Sequence, residues 1–165
     1  MTDDRAHVSI LPITAPFLPA VLELNNAHAA ELSWLEAERL STLVGESFLA
    51  LRIGGIDAFM LAFDQDADYD SENFLWFKAR YPRFAYVDRV VVAPHARGRG
   101  FARMLYTDLF THAAEAGHVI VACEVNLEPP NPASDAFHAA MGFSAVGAAA
   151  IYGGARSVRY FTRPL

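Results

Sequence analysis

With 165 residues, 53% of them hydrophobic, and a mean hydropathy of +0.19, the chain can bury one core without disulfides or metals and is too apolar to be disordered. Its net charge of −6 argues against general nucleic-acid binding, and its one cysteine, Cys123, excludes an intrachain disulfide and fits a reducing compartment. The charge is uneven: seven of the 13 basic residues (Lys78, Arg80, Arg83, Arg89, Arg97, Arg99, Arg103) share a stretch whose single acid is Asp88, as suits a protein that handles a small polyanion.

In chain order, residues 1–7 are charged and carry no signal-like apolar stretch, and the apolar run 8–22 is broken by Pro12, Pro16 and Pro19. A cytoplasmic protein that does not cross a membrane is therefore expected. Residues 8–13 read as a short strand, and 16–30 and 34–43 as two helices. Residues 47–53 and 56–63 are β-like runs joined at Gly54-Gly55, a hairpin signal. A polar and aromatic insertion follows over 64–84, with a short helix over 71–80. The apolar run 85–93, ending before Pro94, suits a strand buried on both faces.

Phe101, Leu105, Leu109, Ala113 and Ala116 recur at near-helical spacing and predict a helix that stops at Gly117. Residues 119–126 form the next strand. Asn131 is placed to cap a helix with Pro132 at its first position, running to Met141 before Gly142. Two strands over 144–152 and 157–163 flank Gly153-Gly154. The order β-α-α-β-β-β-α-β-α-β-β predicts one α/β domain, a mixed sheet with helices on both faces.

The turn Arg97-Gly98-Arg99-Gly100-Phe101-Ala102 stands between a strand and a helix. Glycines let backbone approach a phosphate, the helix's first N–H groups lack intrahelical acceptors, and Arg97, Arg99 and Arg103 add positive charge. Neither common nucleotide motif fits. A dinucleotide fingerprint needs a glycine where Arg103 stands, and a P-loop needs a lysine, whereas the chain's only lysine is Lys78.

The acids Asp64, Asp66, Asp68, Asp70 and Glu72 alternate like a calcium loop, but Tyr69 and Leu75 hold the positions that require Gly and Glu. No metal site is expected. With Tyr69, Asn73, Trp76, Phe77 and Tyr81, this insertion is a candidate border for a site that attracts a cationic amine, and Asn126 is a further candidate acceptor residue.

Arg97, Gly100 and Ala102, the preceding Val90-Val91-Val92-Ala93-Pro94, and the downstream Asn131, Ser134, Phe137 and Gly142-Phe143 resemble the GNAT superfamily of acyl-CoA N-acyltransferases. The resemblance is closest over residues 85–147. It also extends to a bacterial branch with Asn73-Phe74-Leu75-Trp76-Phe77 and Tyr86-Val87-Asp88-Arg89. It implies a mostly antiparallel sheet and acetyl-CoA as co-substrate, with Val90, Val91 and Val92 along the pantetheine and the turn on the pyrophosphate. Asn131, Ser134 and Phe137 are expected to complete the cofactor site.

Acetylating an amine means taking a proton from an ammonium, stabilising an oxyanion and protonating a thiolate. Asp88, placed where relatives carry an acid, and Glu124 are both candidates for the base. Strand alternation puts Tyr86, Asp88, Val90 and Val92 on one face, and Glu124 and Asn126 on a face opposite Val121, Cys123 and Val125. The resemblance implies an oxyanion donor among the N–H groups near Val90 or Val91. His138 stands where many relatives carry a tyrosine and is the candidate proton donor. Cys123 reads as core, so direct transfer in a ternary complex is expected, to an amine of a small molecule or peptide, by a monomer or homodimer. The alternative is a non-catalytic acyl-CoA-binding or sensing domain.

Overall fold

A computed structural model describes residues 8–165; the reading of residues 1–7 lies outside them. Seven strands form one sheet in the order β1-β2-β3-β4-β5-β7-β6. They are β1 (Ile10–Pro12), β2 (Leu49–Ile53), β3 (Ala58–Asp64), β4 (Ala85–Val92), β5 (Ile120–Asn126), β6 (Ser144–Ile151) and β7 (Arg156–Pro164). Every neighbouring pair is antiparallel except β4 and β5.

One face is covered by α5 (Phe101–Glu115) and α6 (Pro132–Ala140), the other by α1 (Leu18–Ala27), α3 (Ala37–Glu46) and α4 (Glu72–Lys78). Strand β3 shows why the sheet is buried on both sides. Ala58, Met60 and Ala62 face the α5 layer, whereas Phe59, Leu61 and Phe63 face the other. The second layer is rich in phenyl rings, with Phe63, Phe74, Phe77 and Phe84 fully buried, and each stabilises the fold by about 2–3 kcal/mol relative to exposure.

The helices begin where their sequences supply caps. Ser71 accepts from the Phe74 N–H at 3.4 Å to start α4, and Asn131 accepts from the Ser134 N–H at 3.1 Å to start α6. The expected helix over 16–30 is instead α1 and a one-turn α2 (Ala29–Leu32), broken at His28, whose φ and ψ are −116° and 26°. The expected helix over 34–43 starts later, at Ala37, and Trp34 is left 64% exposed in the connection. The β2–β3 turn is also longer than Gly54-Gly55. Ile56 is buried in it with a φ of 85°, so β3 begins at Ala58.

Two irregularities in β4 position the site. Met60 pairs with Val90 and Leu61 with Arg89, but Ala62 pairs with Val87, so Asp88 is an extra residue in a β-bulge. This overturns the expected face of Tyr86, Asp88, Val90 and Val92. Val90 and Val92 pack on the α5 side, Tyr86 packs among the aromatic rings of the other, and Asp88 reaches Tyr69 there. The second irregularity is that β4 and β5 pair only at Ala85–Val121 and Tyr86–Ala122. Beyond those residues the strands part and open a gap in the sheet.

Candidate active site

The turn ahead of α5 has the form its sequence suggests. Gly98 and Gly100 have φ of 78° and 77°, a conformation that disfavours side chains, and a Cβ on either would meet nothing within 4 Å. The first intrahelical bond runs from the Met104 N–H to the Gly100 carbonyl at 3.0 Å. Among the described residues, the N–H groups of residues 98–103 therefore have no protein acceptor. Arg97 and Arg99 are exposed beside them; Arg97 donates to His28 Nε2 at 3.2 Å, and the Arg99 guanidinium lies over the Phe101 ring. Unpaired donors, positive charge and open backbone fit a pyrophosphate.

Where β4 and β5 part, a cavity of about 620 Å³ opens. Val87 to Val90 form one wall and Cys123 to Asn126 the other, with Tyr106, Asn131, Ser134 and His138 from the helices. Val91, Val92 and Phe137, expected along the cofactor, do not line it; Val91 belongs to the aromatic layer and Phe137 packs against Tyr106.

The two candidate bases differ sharply. Both oxygens of Asp88 are engaged, one by the Tyr69 hydroxyl at 2.6 Å and the other by Arg89 Nε at 2.7 Å. Arg89 in turn donates to Asn25 at 2.8 Å, tying β4 to α1. Glu124 lies across the cavity and has no cationic partner among the described residues. Burial pushes its pKa up to about 8, although hydrogen bonds from Tyr86 at 2.7 Å and from Asn73 pull the other way. The Tyr86 phenol is itself held well above its ordinary pKa by burial and by Glu124, so it remains a donor.

His138 is 6% exposed, and burial lowers its pKa. Its Nδ1 is 2.7 Å from the Ser134 carbonyl, and its Nε2 is 2.9 Å from the hydroxyl of Tyr106. Neither ring nitrogen is left free to face a substrate. Tyr106 is the group the sequence reading missed. It sits in an apolar helical stretch beside Leu105, where an aromatic residue reads as core, and nothing in the spacing shows that it meets His138. Cys123 lines the cavity, but burial pushes its thiol well above the usual range, which disfavours a nucleophilic thiolate.

Of the expected acceptor residues, Tyr69, Asn73 and Asn126 line the cavity, while Trp76, Phe77 and Tyr81 do not. Helix α4 turns Asn73 toward Glu124 and the Tyr160 hydroxyl, at 2.9 Å from the latter, and sends its rings into the core. Trp76 stacks on Tyr160 with centroids 4.2 Å apart and covers Gly147, Phe77 is fully buried, and Tyr81 packs on Phe77. Of the acidic insertion, Asp70 and Glu72 reach the cavity, whereas Asp64, Asp66 and Asp68 lie elsewhere. Residues distant in sequence complete the rim: Glu31, Arg39, Tyr152 and Arg156. Arg156 binds the Ala30 and Glu31 carbonyls, which fastens β7 to α2 beside the opening.

Among the described residues, no group of three or more His, Cys, Asp or Glu is placed to hold a metal, and no helix is long and apolar enough to cross a membrane. Solved structures share the fold. A ribosomal-protein-alanine N-acetyltransferase from Brucella melitensis is 22% identical with a TM-score of 0.72, over 95% of this chain and 99% of that one. Arabidopsis thaliana NAA60, solved with acetyl-CoA, is 15% identical with a TM-score of 0.75, over 96% and 98%. A phosphinothricin acetyltransferase from Sinorhizobium meliloti, also with acetyl-CoA, is 18% identical with a TM-score of 0.72, over 96% and 88%. No curated protein matches by sequence. The model of the acetyltransferase (GNAT) family matches residues 26–143, which span the glycine turn ahead of α5, both walls of the cavity and α6. The chain belongs to that family and is an acetyl-CoA-dependent N-acetyltransferase.

Proposed function

We propose that the protein transfers the acetyl group directly to an amine of a small molecule or peptide, with Glu124 as the base. The observation that carries this reading is Glu124 itself, a carboxyl in the gap between β4 and β5 whose pKa burial pushes up to about 8, with no cation among the described residues to hold it ionised. A base in that range can take a proton from an ammonium, directly or through a water, far better than an ordinary carboxylate. Asp88 has a structural role instead, holding the bulge through Tyr69 and Arg89.

Bound acetyl-CoA supplies the activated acyl carbon. The free N–H groups and arginines of the 97–103 turn hold its pyrophosphate, and the β4 backbone near Val90 or Val91 offers an N–H to the oxyanion. Asn131 and Ser134 border the thioester end. At the rim, Arg39 is paired with Asp70 at 3.1 Å and Arg156 is held by backbone carbonyls, while Glu31 and Glu72 have no cationic partner among the described residues; the acids outnumber the arginines by one, which favours a cationic amine. A net charge of −6 disfavours nucleic acid as a partner, and a single cysteine fits a reducing, cytoplasmic setting.

The non-catalytic sensing role needs only the turn and gives no purpose to Glu124. Free-thiol release from acetyl-CoA, measured with a panel of small amines and short peptides, separates the two. Amine-dependent release, with the acetylated product seen by mass spectrometry, is expected. Stabilisation by CoA without any thiol release would establish the sensing role instead.

A further inference from the structure

We propose that the hydroxyl of Tyr106 meets the departing sulfur in this cavity, and that His138 is the positioning residue that sets where the hydroxyl's proton points. This rests on the acetyl-transfer reading above and adds to it a residue from a different helix. Tyr106 in α5 and His138 in α6 both line the cavity and are 1% and 6% exposed.

The hydrogen-bond inventory fixes their relation. The Ser134 carbonyl can only accept, so Nδ1 of His138, 2.7 Å away, carries the ring hydrogen. Nε2 is then bare and accepts from the Tyr106 hydroxyl at 2.9 Å. Phe137, Phe143 and Phe161 pack around the imidazole. In this resting state the phenol's one proton points at the histidine, and Tyr106 turns only lone pairs elsewhere. Protonating His138 reverses the pair. Nε2–H then donates to the phenol oxygen, and the phenol proton is free to point into the cavity.

The protonated pair completes the reaction in balance. As the carbon–sulfur bond breaks, its electrons go to sulfur, which takes the Tyr106 proton. The Tyr106 oxygen takes the Nε2 proton at the same time. His138 is left neutral and recovers a proton from solvent. Tyr106 never stands as a phenolate, a form its burial strongly disfavours. The groups facing His138 are Ser134, Phe137 and Asp135 of α6, Tyr106 of α5, Phe143, and Phe161 of β7. Asp135 is the charged group acting on the ring and favours its protonation, against burial.

Two variants and two donors test the proposal. Tyr106→Phe removes one oxygen, and His138→Gln keeps an acceptor that cannot take up a proton. Acetyl-CoA should raise the Tm of both as it does for wild type, which controls for folding. Each should lose about 100-fold in kcat. Their KM for acetyl-CoA should stay within about threefold of wild type. Wild-type kcat should fall as pH rises beyond the Glu124 range, where the gain at Glu124 no longer offsets proton loss at His138; both variants should lack that limb. With 4-nitrophenyl acetate, whose leaving group needs no proton, the Tyr106→Phe deficit should shrink to within about threefold. Wild-type kcat in Tyr106→Phe, or an equal deficit with both donors, would overturn the proposal and leave acetyl transfer standing. Absence of amine-dependent thiol release from the wild type would overturn both.

Discussion

Asp88 and Glu124 sit on the two strands that part at the cavity, and their partners give them different chemistry. Asp88 is fixed by Arg89 and Tyr69, so removing its charge leaves a buried guanidinium uncompensated. Asp88→Asn should therefore destabilise the fold by about 3–5 kcal/mol in urea denaturation, the cost of breaking a buried pair from one side. Glu124 holds its proton up to about 8 when folded but releases it near 4.5 when unfolded. Between those values the folded state binds more protons, so stability falls as pH rises through that window. Glu124→Gln should flatten that decline in a series of Tm measurements. Both carboxylates, and His138 as a departure from the family's tyrosine, could be singled out in the sequence. Their partners could not, because Tyr86, Arg89, Asn25 and Tyr106 come from other elements, and which of them meet depends on packing that no local pattern encodes.

Among elements, β4 carries the most consequence. Alternation identified its strand but placed its side chains on the wrong faces, because a bulge at Asp88 leaves no mark on an apolar run. Strand β5, without a bulge, keeps Glu124 on the face opposite Val121, Cys123 and Val125. The backbone of the turn ahead of α5 was the most legible element, since positive φ at Gly98 and Gly100 is a demand that sequence meets openly. Gly100→Ala should cost about 1–2 kcal/mol from its left-handed backbone and also weaken acetyl-CoA binding in titration calorimetry. The acidic insertion was only half legible. Its helix, α4, matched the sequence, but amphipathic spacing cannot say that Trp76, Phe77 and Tyr81 face the sheet while Asn73 faces the cavity. A Glu72→Gln and Asp70→Asn double variant should raise the acceptor KM and leave acetyl-CoA affinity unchanged; an unchanged acceptor KM would remove these acids from recognition.

Across the whole molecule, Arg97, Arg99 and Arg103 stand outside the cavity lining, which carries Glu31, Asp70, Glu72, Asp88 and Glu124 against Arg39, Arg89 and Arg156. The arginines of the turn suit an anionic donor, and the excess of carboxyls in the cavity suits a cationic acceptor. The order of elements and the layers were readable from periodicity and turn residues. The gap was not, because it arises where β4 and β5 stop pairing after Tyr86 and Ala122. Acetyl-CoA at about 100 times its Kd should add about 2.7 kcal/mol, raising Tm by about 5–10 °C. Deprotonation of the acceptor by Glu124 in that gap is read from amine-dependent thiol release by Glu124→Gln. The variant's kcat should fall about 100-fold below wild type with acetyl-CoA stabilisation intact; turnover at the wild-type rate would strip Glu124 of the base role.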